Sequence, residues 1–271
     1  MKIIQESAEH HFLTFLEKLR HDPAGWTGLH FGFSAKLDHD DIIAALAHIK
    51  GKIHNIKQES AGFAAELLTR AAPFERTGAM LYHFTDCDVI LLAAPKNETE
   101  RDALNSLFTD MAAQLDPAHC HIHNLAKDIY NVQKMADRKL VTARRMAAYD
   151  VLSDLNRIQS IGLRRDRRAE GMVLLVEDDR FTASFAANIL NKDYDLIHSK
   201  TGEDAIIAYV EHAPDIVLLD IHLPGLNGHE TLRAIKKSDG DAAIIMLSVD
   251  TVKQNIVGAA QGGAITFLKK P

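Results

Sequence analysis

Beyond residue 171 the chain alternates short apolar runs with polar stops. Residues 172–176 run into Glu177-Asp178-Asp179, residues 216–219 end in Asp220, residues 244–247 stop at Ser248, and residues 265–268 stop at Lys269-Lys270. Residues 194–198 supply one more run. Unbroken apolar runs of this length predict strands buried on both faces, as in a parallel sheet. Between them, residues 181–190, 203–210, 229–235 and 252–260 carry helical period. Strand and helix in strict alternation predict an α/β fold, a doubly wound five-stranded parallel sheet with right-handed crossovers. Ligands of such sheets bind beyond the carboxyl ends of the strands, where Asp178, Asp179, Asp220, Ser248 and Lys270 would converge.

Those residue types suit phosphoryl chemistry. Clustered carboxylates repel one another unless a cation sits among them, and Mg²⁺ takes a few carboxylates plus water and phosphate oxygens. One carboxylate can instead attack phosphorus and carry an acyl phosphate. A lysine would hold the phosphoryl oxygens as a point charge and a serine hydroxyl would hydrogen-bond one of them. Taken singly, each residue has a plainer reading: Asp179 or Ser248 as a helix cap, Lys270 as a solvated strand end.

Taken together, residues 171–271 resemble the receiver domain of two-component response regulators. The motifs are Leu175-Val176-Glu177-Asp178-Asp179, then Leu218-Leu219-Asp220-Ile221-His222-Leu223-Pro224 with Gly228, then Ser248, then Gly263-Ala264 leading to Phe267-Leu268-Lys269-Lys270-Pro271. The resemblance implies a flavodoxin-like fold with Asp220 as phosphoacceptor, Asp178, Asp179 and Asp220 around Mg²⁺, Ser248 and Lys270 on the phosphoryl group, and Phe267 as the aromatic switch. It implies a cis peptide at Lys270-Pro271 and a histidine kinase or phosphotransfer protein as donor. The last receiver helix is missing after Pro271, so the expectation is either a truncated receiver or another helix over that sheet face. A haloacid-dehalogenase-like phosphatase is the alternative for a nucleophilic aspartate here, but Asp220 is followed by Ile221-His222 where that family has Asp-x-Asp.

The first half reads differently. Phe12, Leu13, Leu16 and Leu19 lie at helical spacing, and Asp22-Pro23 with Gly25 ends that helix. Residues 29–37 alternate as a strand, Asp38 caps a helix over 40–54, and a second helical piece covers 60–71. Strands 80–84 and 89–94 flank the turn Thr85-Asp86-Cys87-Asp88, and a helix over 98–115 and a strand over 119–125 follow. This is an α+β domain over 1–125 whose order fits a ferredoxin-like topology. It weakly resembles the palm of GGDEF diguanylate cyclases, whose hairpin turn carries Gly-Gly-Asp-Glu-Phe. Both glycines are absent here, which implies a catalytically degenerate nucleotide-binding domain at most, and no enzymatic activity is expected. Asp86 and Asp88 read as a solvated turn. His119, His121 and His123 fall on one strand face, a spacing able to chelate a metal. With no carboxylate or fourth ligand nearby in sequence, a half-exposed strand is the preferred reading.

Residues 126–170 form a helical linker with two apolar stripes, Leu125, Ile129, Val132 and Met135, then Val151, Leu152, Leu155 and Ile158. The stripes pack on the domains, cover the receiver face, or pair with a second copy as a homodimer. Arg164-Arg165-Asp166-Arg167-Arg168 reads as a solvated segment, and nucleic acid is not an expected partner although this basic run is its one candidate contact. Over all 271 residues, 46% hydrophobic and 25% charged positions suffice for packed cores, and the net charge of −6 gives no pull toward nucleic acid. Two cysteines make no disulfide framework, no run is long enough to span a membrane, and the amino terminus lacks a signal-peptide pattern. The expected location is the cytoplasm.

Overall fold

The computed structural model describes residues 1–34, 42–249 and 252–270, with backbone alone over 42–53. The expected cap at Asp38 and the peptide before Pro271 lie outside the described residues. Two compact units divide the chain, Met1–Ala143 and Arg144–Pro271. The segment read as a linker over 126–170 is therefore shared between them.

The first unit runs β1 (Ile3–Ile4), α1 (Ala8–Leu19), β2 (Thr27–Phe31), α2 (Ile42–Arg70), β3 (Met80–His83), β4 (Val89–Ala93), α3 (Glu98–Ala112), β5 (Cys120–Asn124) and the first part of α4 (Leu125–Leu152). Its sheet order is β1-β3-β4-β2-β5. Strands β2 to β5 pair antiparallel, and β1 adds in parallel to β3. The ferredoxin-like order is present from β2 to β5. The two helical pieces expected over 40–71 are one helix, because no proline interrupts them and a glycine inside a helix costs only about 1 kcal/mol. Strand β1 is two residues long, too short for any period to reveal it.

One sheet face is covered by α1 and α4. Phe12 and Leu16 meet Tyr82, Phe84, Ile90 and Leu92 there, with Leu125, Val132 and Ala136 from α4. The first linker stripe is thus spent inside this unit and is not free to pair with a second copy. The other face carries α2 and α3, where the Phe31 ring lies 4.9 Å from Phe63 and 5.6 Å from Phe108.

The second unit takes the end of α4, then α5 (Leu155–Gln159), α6 (Ile161–Asp166), β6 (Met172–Val176), α7 (Arg180–Leu190), β7 (Asp195–Ser199), α8 (Gly202–His212), β8 (Ile216–Asp220), α9 (Gly228–Ser238), β9 (Ile244–Ser248), α10 (Lys253–Gln261) and β10 (Thr266–Lys269). All strands are parallel in the order β10-β9-β8-β6-β7. Strand order reverses between β6 and β8, so their carboxyl ends open the ligand crevice. Right-handed crossovers set α7 on one face and α8 to α10 on the other.

Two linker expectations are corrected here. Helices α5 and α6 do not cover the α7 face, where Phe181, Phe185 and Ile189 remain exposed. They lie against α8. Nor is most of the arginine run solvated, Arg167 alone of its arginines being exposed: Arg164 donates to the carbonyls of Val210 and Glu211, each at 2.7 Å, and Arg165 to that of Pro214 at 2.9 Å. Arg168 donates to the Ala213 carbonyl at 3.2 Å and pairs with Asp215 at 3.0 Å. The last carbonyls of a helix have no partner within it, and these guanidinium groups supply one. So committed, they are not a free patch for phosphates. Among the described residues no helix is long and apolar enough to cross a membrane.

Candidate functional site

Strands β6 and β8 are neighbours in register, with Val176 opposite Leu219, so the residues that follow each reach the crevice at one level. Glu177 and Asp220 are both almost fully buried there. Together with exposed Asp178 they offer three carboxylate oxygens within 4.8 Å of one another. Asp220 Oδ1 accepts the Ile221 amide at 2.8 Å, while Oδ2 lies 3.0 Å from the Lys270 ammonium. The same ammonium stands 2.5 Å from Glu177 Oε2.

Burial pushes the Glu177 carboxyl above its ordinary value, and the Asp220 charge adds to this while Lys270 opposes it. Lys270 is held above the usual lysine range by hydrogen bonds and charge from the two acids, although burial works the other way. Three carboxylates against one ammonium leave the pocket net negative. A hard divalent cation fits that donor set, since it would relieve the repulsion that raises Glu177.

Asp179 is not part of this cluster. Its Oδ1 accepts the Thr182 amide at 2.8 Å and the Thr182 hydroxyl at 2.9 Å, capping α7. The Thr182 amide bond first, then the hydroxyl, lowers its carboxyl. The carboxylates the structure brings together, able to hold a cation, are therefore Glu177, Asp178 and Asp220, where the sequence named Asp178, Asp179 and Asp220. The signal was available: Glu177 directly continues β6, whereas Asp179 sits one residue before a helix, where aspartate is a preferred cap.

Ser248 is fully buried at the end of β9, and its carbonyl accepts the Lys270 amide at 2.9 Å. Phe267 lies half-buried in β10, opposite Met246 of β9. The loop after Asp220 is held from α8. Glu203, almost fully buried, accepts the Leu226 amide at 3.1 and 3.2 Å through its two oxygens and Arg145 Nε at 3.1 Å. Sequence reasoning missed Glu203, because an acid in a helix's first turn is ordinarily explained by the helix dipole.

The hairpin turn of the first unit is also charged, and it is not solvated as the sequence suggested. Asp86, Asp88 and Lys139 of α4 are all buried, with Lys139 Nζ donating to Asp86 at 2.8 Å and also to Asp88. Asp88 further accepts the Ser34 amide at 2.6 Å and His30 Nε2 at 2.9 Å. Glu9 Oε1 accepts the Thr85 amide at 2.8 Å. Despite burial, Lys139 and then His30 hold Asp88 below the carboxylate range, whereas burial pushes Asp86 up. Of the three histidines read as one strand face, His119 belongs to a 3-10 turn. His121 and His123 instead gather with His30 of β2, which lies opposite His121. Burial, with His30 and His121 beside it, lowers His123 to about 4.

Residues 173–271 match the family model described as the response regulator receiver domain. Over 101 residues the chain is 35% identical to the chemotaxis protein CheY of Bacillus subtilis, which covers 36% of this chain and 84% of that protein. The same identity over 101 residues, with the same shares of each chain, relates it to the chemotaxis protein CheY of Thermotoga maritima. The DNA-binding response regulator MtrA of Mycobacterium leprae is 33% identical over 100 residues, covering 36% of this chain and 44% of that protein. Fold and crevice thus define a phosphorelay-type receiver, and the chain belongs to the response regulator receiver family. It is a protein of two-component signal transduction.

Proposed function

We propose that Asp220 is the phosphoacceptor, and that its modification changes how the first unit engages a partner. The observation that carries this reading is the convergence of Glu177, Asp178, Asp220 and Lys270 at the switch between β6 and β8. An Asp220 carboxylate oxygen attacks the phosphorus of a phosphohistidine on a histidine kinase or phosphotransfer protein. The phosphorus–nitrogen bond breaks, and the freed imidazole takes up a proton. Mg²⁺, held by Glu177, Asp178 and Asp220, would neutralise charge on the transferring phosphoryl oxygens. Lys270 already touches Asp220 and stays cationic, so it meets the incoming oxygens as a fixed positive charge. Ser248 turning toward the phosphoryl group, with Phe267 following, supplies the two-state element that phosphorylation biases.

The first unit is assigned here to interaction or output rather than catalysis. Its hairpin turn is filled by the Asp86–Lys139–Asp88 ion cluster instead of a glycine-lined approach for nucleotide. The direct test incubates the chain with a labelled phosphodonor and Mg²⁺. The expected result is acid-stable, base-labile label on the wild type and none on Asp220→Asn. Label retained on Asp220→Asn under the same conditions removes the assignment.

A further inference from the structure

A cavity of about 400 Å³ opens in the first unit. It lies where Thr27 of β2 pairs with Ala93 and Asn124, at the opposite end of the sheet from the Asp86–Asp88 turn. Sites for small organic ligands run from roughly 300 to 1,000 Å³, so one such molecule fits. The local chain path builds the corner. Gly25, at φ +81°, turns the chain into β2, a backbone conformation that glycine adopts without strain. The Leu125 amide then donates to the Trp26 carbonyl at 3.0 Å, which ties the start of α4 to the same place.

The lining divides into an apolar wall and a polar rim. Trp26 is half-buried, and Phe15 meets its ring edge-on with centroids 5.1 Å apart, so the ring is held without being covered. Leu104 of α3 is buried beside it, while Ile122 of β5 is 43% exposed. Exposed apolar side chains are ordinary when scattered, but here they line one concave wall, which suits a flat apolar body. Arg101 is the only charged residue among the described residues that line the cavity, and Thr27 and Asn105 add a hydroxyl and a carboxamide. Among the described residues none of these three side chains has a hydrogen-bond or ion-pair partner. A free guanidinium offers a planar fork of donors that matches a carboxylate or phosphate.

We propose that this cavity binds a small flat-ring compound carrying one anionic group, a carboxylate or a phosphate. The ring lies against Trp26 and Ile122, and the anionic group meets Arg101. Ala126, in the first turn of α4, also lines the cavity, so an occupant touches the helix whose last residues belong to the second unit. The first unit then has a ligand of its own, and this inference does not rest on phosphorylation of Asp220.

Trp26 is the only tryptophan, so the isotope-labelled full chain gives a single indole N–H resonance, and that resonance reports on the cavity. The probes are benzoate, phenyl phosphate and neutral benzamide, which share one ring and differ in the group it carries. A saturable shift is expected with at least one of the two anions, at a Kd of about 10 mM or tighter, the strength of a ligand this small. Benzamide is expected to bind at least about tenfold more weakly. The tighter of the two anions identifies the group as carboxylate or phosphate. Arg101→Gln changes an exposed side chain, leaves the fold intact, and is expected to weaken that anion at least about tenfold, as loss of a hydrogen bond to a charged group does. Arg76→Gln, exposed and outside the cavity, is expected to leave binding unchanged. No saturable shift with either anion, equal binding of benzamide, or undiminished binding in Arg101→Gln overturns the proposal.

Discussion

At Lys139 one residue decides the state of a whole turn. It stands three positions after Ala136 and seven after Val132 on the face of α4 that packs into the core, and its ammonium is the main counter-charge for two buried carboxylates. Removing one partner of a buried ion cluster leaves uncompensated charge, which costs about 3–5 kcal/mol. Lys139→Met is therefore expected to destabilise the first unit by about that amount, and adding Asp86→Asn and Asp88→Asn to recover much of it. The single tryptophan, Trp26, lies in this unit, so urea unfolding followed by its fluorescence reads the change. An effect below about 1 kcal/mol would mean the cluster behaves as an exposed pair. The pH dependence has a definite sign. Lys139 is raised in the folded state by Asp86 and Asp88 against burial, so its contribution is complete below the unfolded lysine value of about 10.4 and is lost as pH rises beyond it. Asp88 is depressed, so its contribution is present above about pH 4 and is lost on acidification below that. Raised Asp86 has the opposite sign and blunts the acid branch.

At the scale of elements, the loop between β8 and α9 depends on glycine for close approach. A Cβ on Gly228 would stand 2.1 Å from the Asp220 carbonyl oxygen and 2.8 Å from Ile221 Cα, both backbone atoms that cannot step aside cheaply. Gly228→Ala is expected to cost at least about 1–3 kcal/mol and to shift Asp220 itself, slowing phosphorylation. Gly240→Ala, with nothing near its Cβ, is expected to stay within about 0.5 kcal/mol. Scanning calorimetry with a phosphorylation time course separates the two, and equal behaviour would show that the loop yields freely. This level is also where sequence reading worked and failed. The parallel sheet was legible because the runs of β6, β8, β9 and β10 each end in a sharp apolar-to-polar step. The acids and Lys270 were legible because topology forces those ends together. Asp179 was misread, since adjacent acids carry no mark of which continues the strand and which caps the helix. Asp86, Asp88, Arg164, Arg165 and Arg168 were misread for a common reason: they have partners 40 or more residues away, and local patterns treat an unpaired charge as solvated. A lone lysine on the apolar face of α4 was the one available hint.

Across the whole molecule, α4 is the element that belongs to both units: its residues up to Ala143 fall in the first and those from Arg144 in the second. Within the second unit its end is tied to the crevice by a short chain of contacts. Asp220 leads into the loop whose Leu226 amide is held by Glu203, and Glu203 also accepts from Arg145 of α4. A change in that loop can bias α4 only as far as the two states differ in these contacts. Beryllofluoride with Mg²⁺ mimics the phosphoryl group on Asp220, and hydrogen exchange reads local opening. The expected outcome is altered protection in the loop 221–227 and in residues 144–152 on the wild type. In Arg145→Ala the loop is expected to respond as before while residues 144–152 no longer do. Arg145 and Glu203 are a part-exposed and a buried partner, so the substitution leaves Glu203 its Leu226 amide and the receiver stays folded. If residues 144–152 respond equally in both proteins, the signal reaches α4 by another route. If the loop alone responds in the wild type, α4 does not carry the output, and the receiver's effect must pass to its partner directly.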